Sequence, residues 1–227
     1  MRPVLILRPQ PGADASAERA KAIGLEPVVA PLFTIRLLEW DPPAAEAFDA
    51  VLLTSAHAAR QAPPGALASL PCYTTGEATT AAARDAGFAD VRTGPGDGEG
   101  ALALARREGR SRVLHLCGRD HIALPGVERR IVYAADAAER LPDAARGALA
   151  GDAVALIHSP RAATVFAGLV DDRSRVRLAL ISPAAAAAAG EGWAEKAVAA
   201  RPRDEALLEV AAKLCNIAAP GAKQAGR

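Results

Sequence analysis

Short apolar runs punctuate the chain, and each gives way to a stretch in which apolar positions recur with helical spacing. The runs PVLIL (3–7), AVLLT (50–54), PCYTT (71–75), RVLHL (112–116), RRIVYA (129–134), AVALI (153–157) and RLALI (177–181) read as strands. The spacing between them predicts helices over 13–23, 56–62, 78–86, 98–108, 140–149, 160–169, 183–189 and 204–214. Strands alternating with helices build parallel sheets covered on both faces, and such sheets bind ligands at the carboxyl ends of their strands. The strand-to-helix turns are therefore where chemistry belongs.

One such turn lies in TTGEATTAAARDAGF (74–88), where a strand empties through Gly76 into a Thr-rich turn and an Ala-rich helix. A helix start is an anion site in miniature, because its first N–H groups lack intrahelical partners and carry the positive end of the dipole. The plainer reading is a helix capped by Thr79 or Thr80. The device recurs, however. FDAVLLTSAHAARQA (48–62) resembles GDAVALIHSPRAATVFA (151–167), and YTTGEATTAAARDAGF (73–88) resembles ALISPAAAAAAGEGW (179–193), with Ser182 and Pro183 standing where Gly76 and Glu77 stand. After each pair comes a helix opened by an acidic residue, in GDGEGALALARR and PRDEALLEVAAK. A repeat of three elements in one order implies two small α/β domains, with two sets of turns facing one cleft.

Composition narrows the picture. A chain of 227 residues, 51% hydrophobic but only 4% aromatic, fills its cores with Leu, Val, Ile and Ala. No segment approaches the roughly 18 apolar residues of a membrane span. The opening MRPVLILRPQPGADA has too short an apolar run for a secretory leader and reads as the first strand of a cytoplasmic protein. A net charge of +1 gives no broad field towards nucleic acid or a membrane surface, so an anionic ligand must be met locally. Of the 27 basic residues only Lys21, Lys196, Lys213 and Lys223 are not Arg, and Arg forks suit carboxylates. Cys72, Cys117 and Cys215 are widely spaced and odd in number, which indicates neither a disulfide framework nor a zinc site. His115, His121 and His158 have no metal-ligand spacing. GPGDGEG (94–100) is glycine-rich, but Asp97 and Glu99 would repel phosphate, and no nucleotide fingerprint is present. A phosphoacceptor receiver would need acidic residues where the chain has Arg8-Pro9 and Thr54-Ser55, and a serine hydrolase would need a G-x-S-x-G turn that is missing.

The ordered series LILRP, TSAHA, GEAT, VLHLCGRD, IVY, the second unit of Asp, strand and Ser-Pro, and PRDEALLEVA resembles the uroporphyrinogen-III synthase family over nearly the whole chain. The resemblance implies two doubly wound, flavodoxin-like parallel-sheet domains joined by a two-strand linker, with a cleft between them. The first domain would comprise 1–34 and 136–227 and the second 38–132, with crossings in FTIRLLE (33–39) and IVYAADA (131–137). It also implies the chemistry: hydroxymethylbilane, a linear tetrapyrrole with eight carboxylates, is dehydrated and cyclised with inversion of its terminal pyrrole. No metal or cofactor is implied, nor any nucleic-acid or membrane partner, and the chain would act as a monomer. The alternative is a diverged two-domain binder of an acidic small molecule that has lost turnover.

Under that resemblance Gly76, Glu77, Ala78 and Thr79 would hold substrate carboxylates through backbone N–H groups, with the Thr79 hydroxyl in reach and the Glu77 carboxylate turned away. Ser55, Ser159 and Ser182 occupy exit turns, and Arg8, Arg119 and Arg161 lie just past strands as charge-assisted donors. Tyr133 would be the general acid that donates to the departing hydroxyl, the four His being without a place near it. Three features depart from the family pattern: Ala185 stands where a Thr is expected, His57 where an Asn is common, and the turn after Cys117 leaves little room for the usual helix.

Overall fold

The computed structural model describes residues 2–61 and 65–215. In chain order these form β1 (Val4–Ile6), α1 (Gly12–Ala22), β2 (Pro27–Val29), β3 (Phe33–Leu37), β4 (Ala50–Leu53), α2 (Ala56–Gln61), β5 (Cys72–Thr74) and α3 (Glu77–Asp85). There follow β6 (Val91–Thr93), α4 (Gly98–Arg107), β7 (Val113–Gly118), β8 (Glu128–Ala137), α5 (Asp143–Ala150), β9 (Val154–Ile157) and α6 (Pro160–Leu169). The last are β10 (Arg177–Leu180), α7 (Pro183–Ala189), β11 (Glu195–Val198) and α8 (Asp204–Leu214). The expected end of the second helix at Ala62, and Met1 and 216–227 of the first expected domain, lie outside the described residues.

The described residues divide into two compact units, one running to Thr34 and resuming at Asp136, the other spanning Ile35–Ala135. The first holds a five-stranded sheet in the order β11-β10-β9-β1-β2, and the other sheet is six-stranded, β3-β8-β7-β4-β5-β6. The pairs β1–β2, β1–β9, β9–β10 and β10–β11, and β4–β5, β5–β6, β4–β7 and β7–β8, are parallel. This is a mixed α/β fold with parallel sheets. The strand order reverses between β1 and β9 in one sheet and between β4 and β7 in the other, so each unit has a switch point, the place where such sheets bind ligands at the carboxyl ends of their strands.

Central strands are fully buried runs, VLI in β1, AVLL in β4, VLHLCG in β7 and VALI in β9, because helices cover both faces. The core of the first unit packs Val4, Ile6, Val154 and Leu156 against Ala-rich faces of α1 and α8, and small residues there let helices approach the sheet closely. Ser159 and Ser182 cap α6 and α7, accepting from Ala162 N–H at 3.1 Å and Ala185 N–H at 3.2 Å, with Pro160 and Pro183 in the first turn. Asp97 caps α4 by accepting from Gly100 N–H at 2.7 Å.

The structure departs from the sequence reading at two places. β2, β6 and β11 were not predicted; all three are edge strands of three or four residues, only partly covered, and so carry no full apolar run. Helix α3 is capped neither by Thr79 nor by Thr80: Gly76 is its N-cap, without a side-chain bond, and both threonines are buried in the first turn. Thr80 instead joins a hydroxyl ladder with Thr74 at 2.6 Å and Thr93 at 2.8 Å. As the sequence suggested, Asp204 opens α8 as its first residue, the N-cap being Arg203. Residues 119–127, after β7, contain no helix, in keeping with the short turn expected there, and Leu124 from this stretch is buried in the core beside Leu52 and Tyr73.

Candidate functional site

At the switch point of the unit spanning Ile35–Ala135, the exit turn of β4 meets the middle of β8. Tyr133 is 9% exposed and its hydroxyl donates to Ser55 Oγ at 3.0 Å. Ser55 Oγ also accepts the His57 N–H at 3.1 Å. With both lone pairs occupied, the Ser55 hydroxyl can meet a further group only as a donor. The Tyr133 ring lies against Gly118, where a Cβ would come within 2.6 Å of Cζ. The ring of His57 sits 5.8 Å from that of Tyr133, tilted by 49°. His57 is thus a direct neighbour of the Tyr133 ring.

A bulge aims Tyr133. Register along β7 and β8 runs to Cys117↔Ile131 and then jumps to Gly118↔Tyr133, leaving Val132 as the extra residue. Val132 and Tyr133 consequently face the same core, which consecutive residues of a regular strand cannot do. Arg119 follows, half exposed; its N–H donates to the Tyr133 carbonyl at 2.9 Å and its side chain lies 4.0 Å from Asp120.

On the opposite face of β7, His115 is wholly buried, with Nε2 2.9 Å from Thr54 Oγ1 and its ring edge-on to His121 at 6.1 Å. Its Nδ1 is buried without a hydrogen-bond partner among the described residues. Burial first, then His121 and Arg129, push it down to about 4, so His115 is neutral at ordinary pH.

The start of α3 offers the backbone donors expected of it only in part. Thr79 N–H donates to the Gly76 carbonyl at 3.0 Å, which leaves the N–H groups of Glu77 and Ala78 as the outward pair. Thr79 is 6% exposed, with its hydroxyl 3.5 Å from that of Thr75. Glu77 is exposed.

In the other unit, the switch point brings together Arg8 after β1 and His158 and Ser159 after β9. Arg8 Nη1 donates to Ser16 Oγ at 3.2 Å and lies 3.6 Å from Asp204, while Gly12 sits beneath the guanidinium. His158 Nε2 donates to Asp204 Oδ1 at 2.8 Å, and both side chains are about one-tenth exposed, 8% and 10%. Burial, the largest influence, depresses the His158 imidazole below its ordinary value against the pull of Asp204. Burial would raise the Asp204 carboxyl, but His158, Ser16 and Arg8 hold it down to about 2. Arg161 stacks on Phe33, 4.7 Å from the ring centroid. Pro160 and Pro183 remove one N–H each from the starts of α6 and α7, so these helices present fewer backbone donors than α3. Ser182 acts as a cap, and Ala185, where a hydroxyl was expected, is fully buried.

Gly12, Ser16, Gly118, His158 and Asp204 belong to these clusters but were not read as site residues. Only Asp204 left a signal, as the acidic residue opening PRDEALLEVA. Among the described residues no group of three or more His, Cys, Asp or Glu could hold a metal ion, and no helix is long and apolar enough to cross a membrane. Cys72, Cys117 and Cys215 are free and buried, which pushes Cys72 up to about 12.

Each unit thus places an Arg and a Ser at the carboxyl ends of its parallel strands, and the unit spanning Ile35–Ala135 adds a buried phenol, an arrangement typical of α/β enzymes. The chain belongs to the uroporphyrinogen-III synthase family, whose HEM4 model, uroporphyrinogen-III synthase HemD, matches residues 14–209. Among solved structures, uroporphyrinogen-III synthetase from Helicobacter pylori 26695 is similar with a TM-score of 0.66 and 19% identity, over 94% of this chain and 100% of that one. Uroporphyrinogen III synthase from the extremely thermophilic bacterium Thermus thermophilus gives a TM-score of 0.40 and 19% identity, over 92% of this chain and 96% of that one. No curated protein matches the chain.

Proposed function

We infer that this chain is a uroporphyrinogen-III synthase, a lyase of tetrapyrrole synthesis that dehydrates and cyclises hydroxymethylbilane with inversion of the terminal pyrrole. The family match over residues 14–209 carries this reading. Tyr133 is the general acid: a phenol with an ordinary pKa of about 10 stays protonated near neutrality and gives its proton to the departing hydroxyl, which leaves as water. Ser55, which accepts from the phenol at 3.0 Å, donates its own hydroxyl proton to the substrate. Arg8, Arg119, Arg161, Ser159 and Ser182, with the N–H groups of Glu77 and Ala78, receive carboxylates, and Thr79 and Gly76 shape that turn. Unaided closure of the same substrate gives the uninverted ring, so the protein's contribution is chiefly orientation.

The finer architecture belongs to the same proposal: two doubly wound, flavodoxin-like domains, 1–34 with 136–227 and 38–132, joined by strands near 34–38 and 132–136. The order β11-β10-β9-β1-β2 supports it for the first. The enzyme works as a cytoplasmic monomer without a cofactor. Consumption of freshly prepared hydroxymethylbilane tests the function: the chain should accelerate it well beyond the spontaneous rate. Binding without acceleration would make the chain an acidic-ligand binder.

A further inference from the structure

Around Asp204 four side chains from three separate parts of the fold converge on one carboxylate. Its Oδ1 accepts from Ser16 at 2.9 Å and from His158 at 2.8 Å, and its Oδ2 accepts from Arg19 at 3.0 Å. Arg8 Nη1 lies 3.6 Å away and donates to the same Ser16. Asp204 is the first residue of α8, where the helix dipole favours a negative charge, yet its side chain turns back into the fold instead of capping the helix. Beneath the guanidinium is Gly12, the first residue of α1; a Cβ there would fall 2.7 Å from Arg8 Nε and 2.9 Å from Cζ and Nη2. One edge of the fork is thus fixed by Ser16 and the Asp204 charge, and one face by a residue without a side chain. The Arg8 side chain remains 32% exposed, so the fork is restrained without being enclosed.

We propose that Asp204 and Gly12 are positioning residues that pre-orient Arg8 to receive one substrate carboxylate at the β1–β9 switch point. This rests on the reading of Arg8 as a carboxylate ligand. An Arg held in place loses less freedom when it closes on a planar carboxylate, and its two parallel bonds require a defined fork direction. Asp204 supplies the direction and Gly12 the space. Neither residue touches the reacting atoms.

The test is KM and kcat for hydroxymethylbilane, with melting temperature, in Arg8→Gln, Asp204→Asn, Gly12→Ala and the double variant Arg8→Gln/Asp204→Asn. Arg8→Gln should raise KM about 10-fold through loss of a charge-assisted pair, with kcat nearly kept. Asp204→Asn, which keeps the shape and the acceptor for Ser16 and His158 but drops the charge, should raise KM about 3- to 10-fold, and should add less than about twofold when Arg8 is already Gln. Gly12→Ala is the sharper probe. Ala is the better helix former, so melting should not fall, while the new Cβ pushes the flexible guanidinium aside and KM rises about 3- to 10-fold. If Asp204→Asn does not fold, Gly12→Ala decides alone. An Arg8→Gln effect on KM with no effect of Gly12→Ala or Asp204→Asn would overturn the positioning role and leave Arg8 as a ligand. An unchanged KM in Arg8→Gln would overturn both.

Discussion

Tyr133 is held by Ser55 Oγ at 3.0 Å and seated on Gly118, and it carries the sharpest residue-scale prediction. Tyr133→Phe keeps the ring and removes the acid, so turnover should fall to the lower end of, or below, the roughly 10²- to 10⁴-fold typical of a positioned acid, because this leaving group departs readily. Melting and product affinity should stay near wild type; an unchanged turnover in folded Tyr133→Phe would make the phenol a packing group. His115 gives a second prediction. An ordinary imidazole titrates near 6.5 in the unfolded chain, and His115 is pushed down to about 4 in the fold. As pH falls between those values the unfolded chain takes up a proton that the native one refuses, so this contribution, full above about 6.5, is lost on the way to 4, about 3 kcal/mol in all. Urea unfolding across that range should show the slope, and His115→Gln should flatten it. Ala185 makes the third: it is fully buried, so restoring the family's Thr adds two heavy atoms to a filled space and should cost about 1–3 kcal/mol by denaturant unfolding. The candidate residues on turns were legible because strands and helices bracket them. Gly12, Gly118 and His57 were not: Gly118 and His57 matter through Tyr133, distant in sequence, and Gly12 through the way the Arg8 side chain folds back over it.

At the scale of elements, the bulge in β7 and β8 decides where the phenol points. Nothing in RRIVYAADA announces a change of face, because Val, Tyr and Ala all suit a buried strand; only the partner strand reveals it. Gly118→Ala should force the Tyr133 ring off its seat, lower turnover to about the level of Tyr133→Phe, and add little in that background, as measured by initial rates of substrate consumption. The start of α3 separates backbone from side chain in the same manner. Gly76 is extended, at φ −177°, with open space where a Cβ would go, so Gly76→Ala should be nearly neutral. Gly76→Pro demands φ near −65° and should weaken product binding measured by titration far more than Thr79→Ala does. The threonines misled the sequence reading because hydroxyls that suit a cap also suit a buried ladder, and the three-residue β6 that completes the ladder is too short to be seen in the pattern.

For the whole molecule, the two sheets are permuted copies. Spatially β2-β1-β9-β10-β11 corresponds to β8-β7-β4-β5-β6, so Arg8 after β1 matches Arg119 after β7, and Ser159 after β9 matches Ser55 after β4. The acidic residue before the matched strand makes the same bond in each, Asp152 to Arg2 at 2.5 Å and Asp49 to Arg112 at 2.8 Å. The repeat was legible in β4 to α4 and β9 to α8, where order is preserved. It was not legible in β1, β2, β7 and β8, because the permutation moves them to opposite ends of their units, and the missing helix after β7 erases the counterpart of α1. The copies have also diverged in use: one switch point carries the phenol and the other the Asp204 network. The central claim is that these turns steer ring closure, and the isomer formed tests it most directly. Freshly prepared hydroxymethylbilane, incubated with the purified chain and resolved by chromatography after oxidation, should yield mainly the inverted type III ring, and Tyr133→Phe should yield the same isomer more slowly. Type I product alone, at the rate seen without protein, would contradict the account.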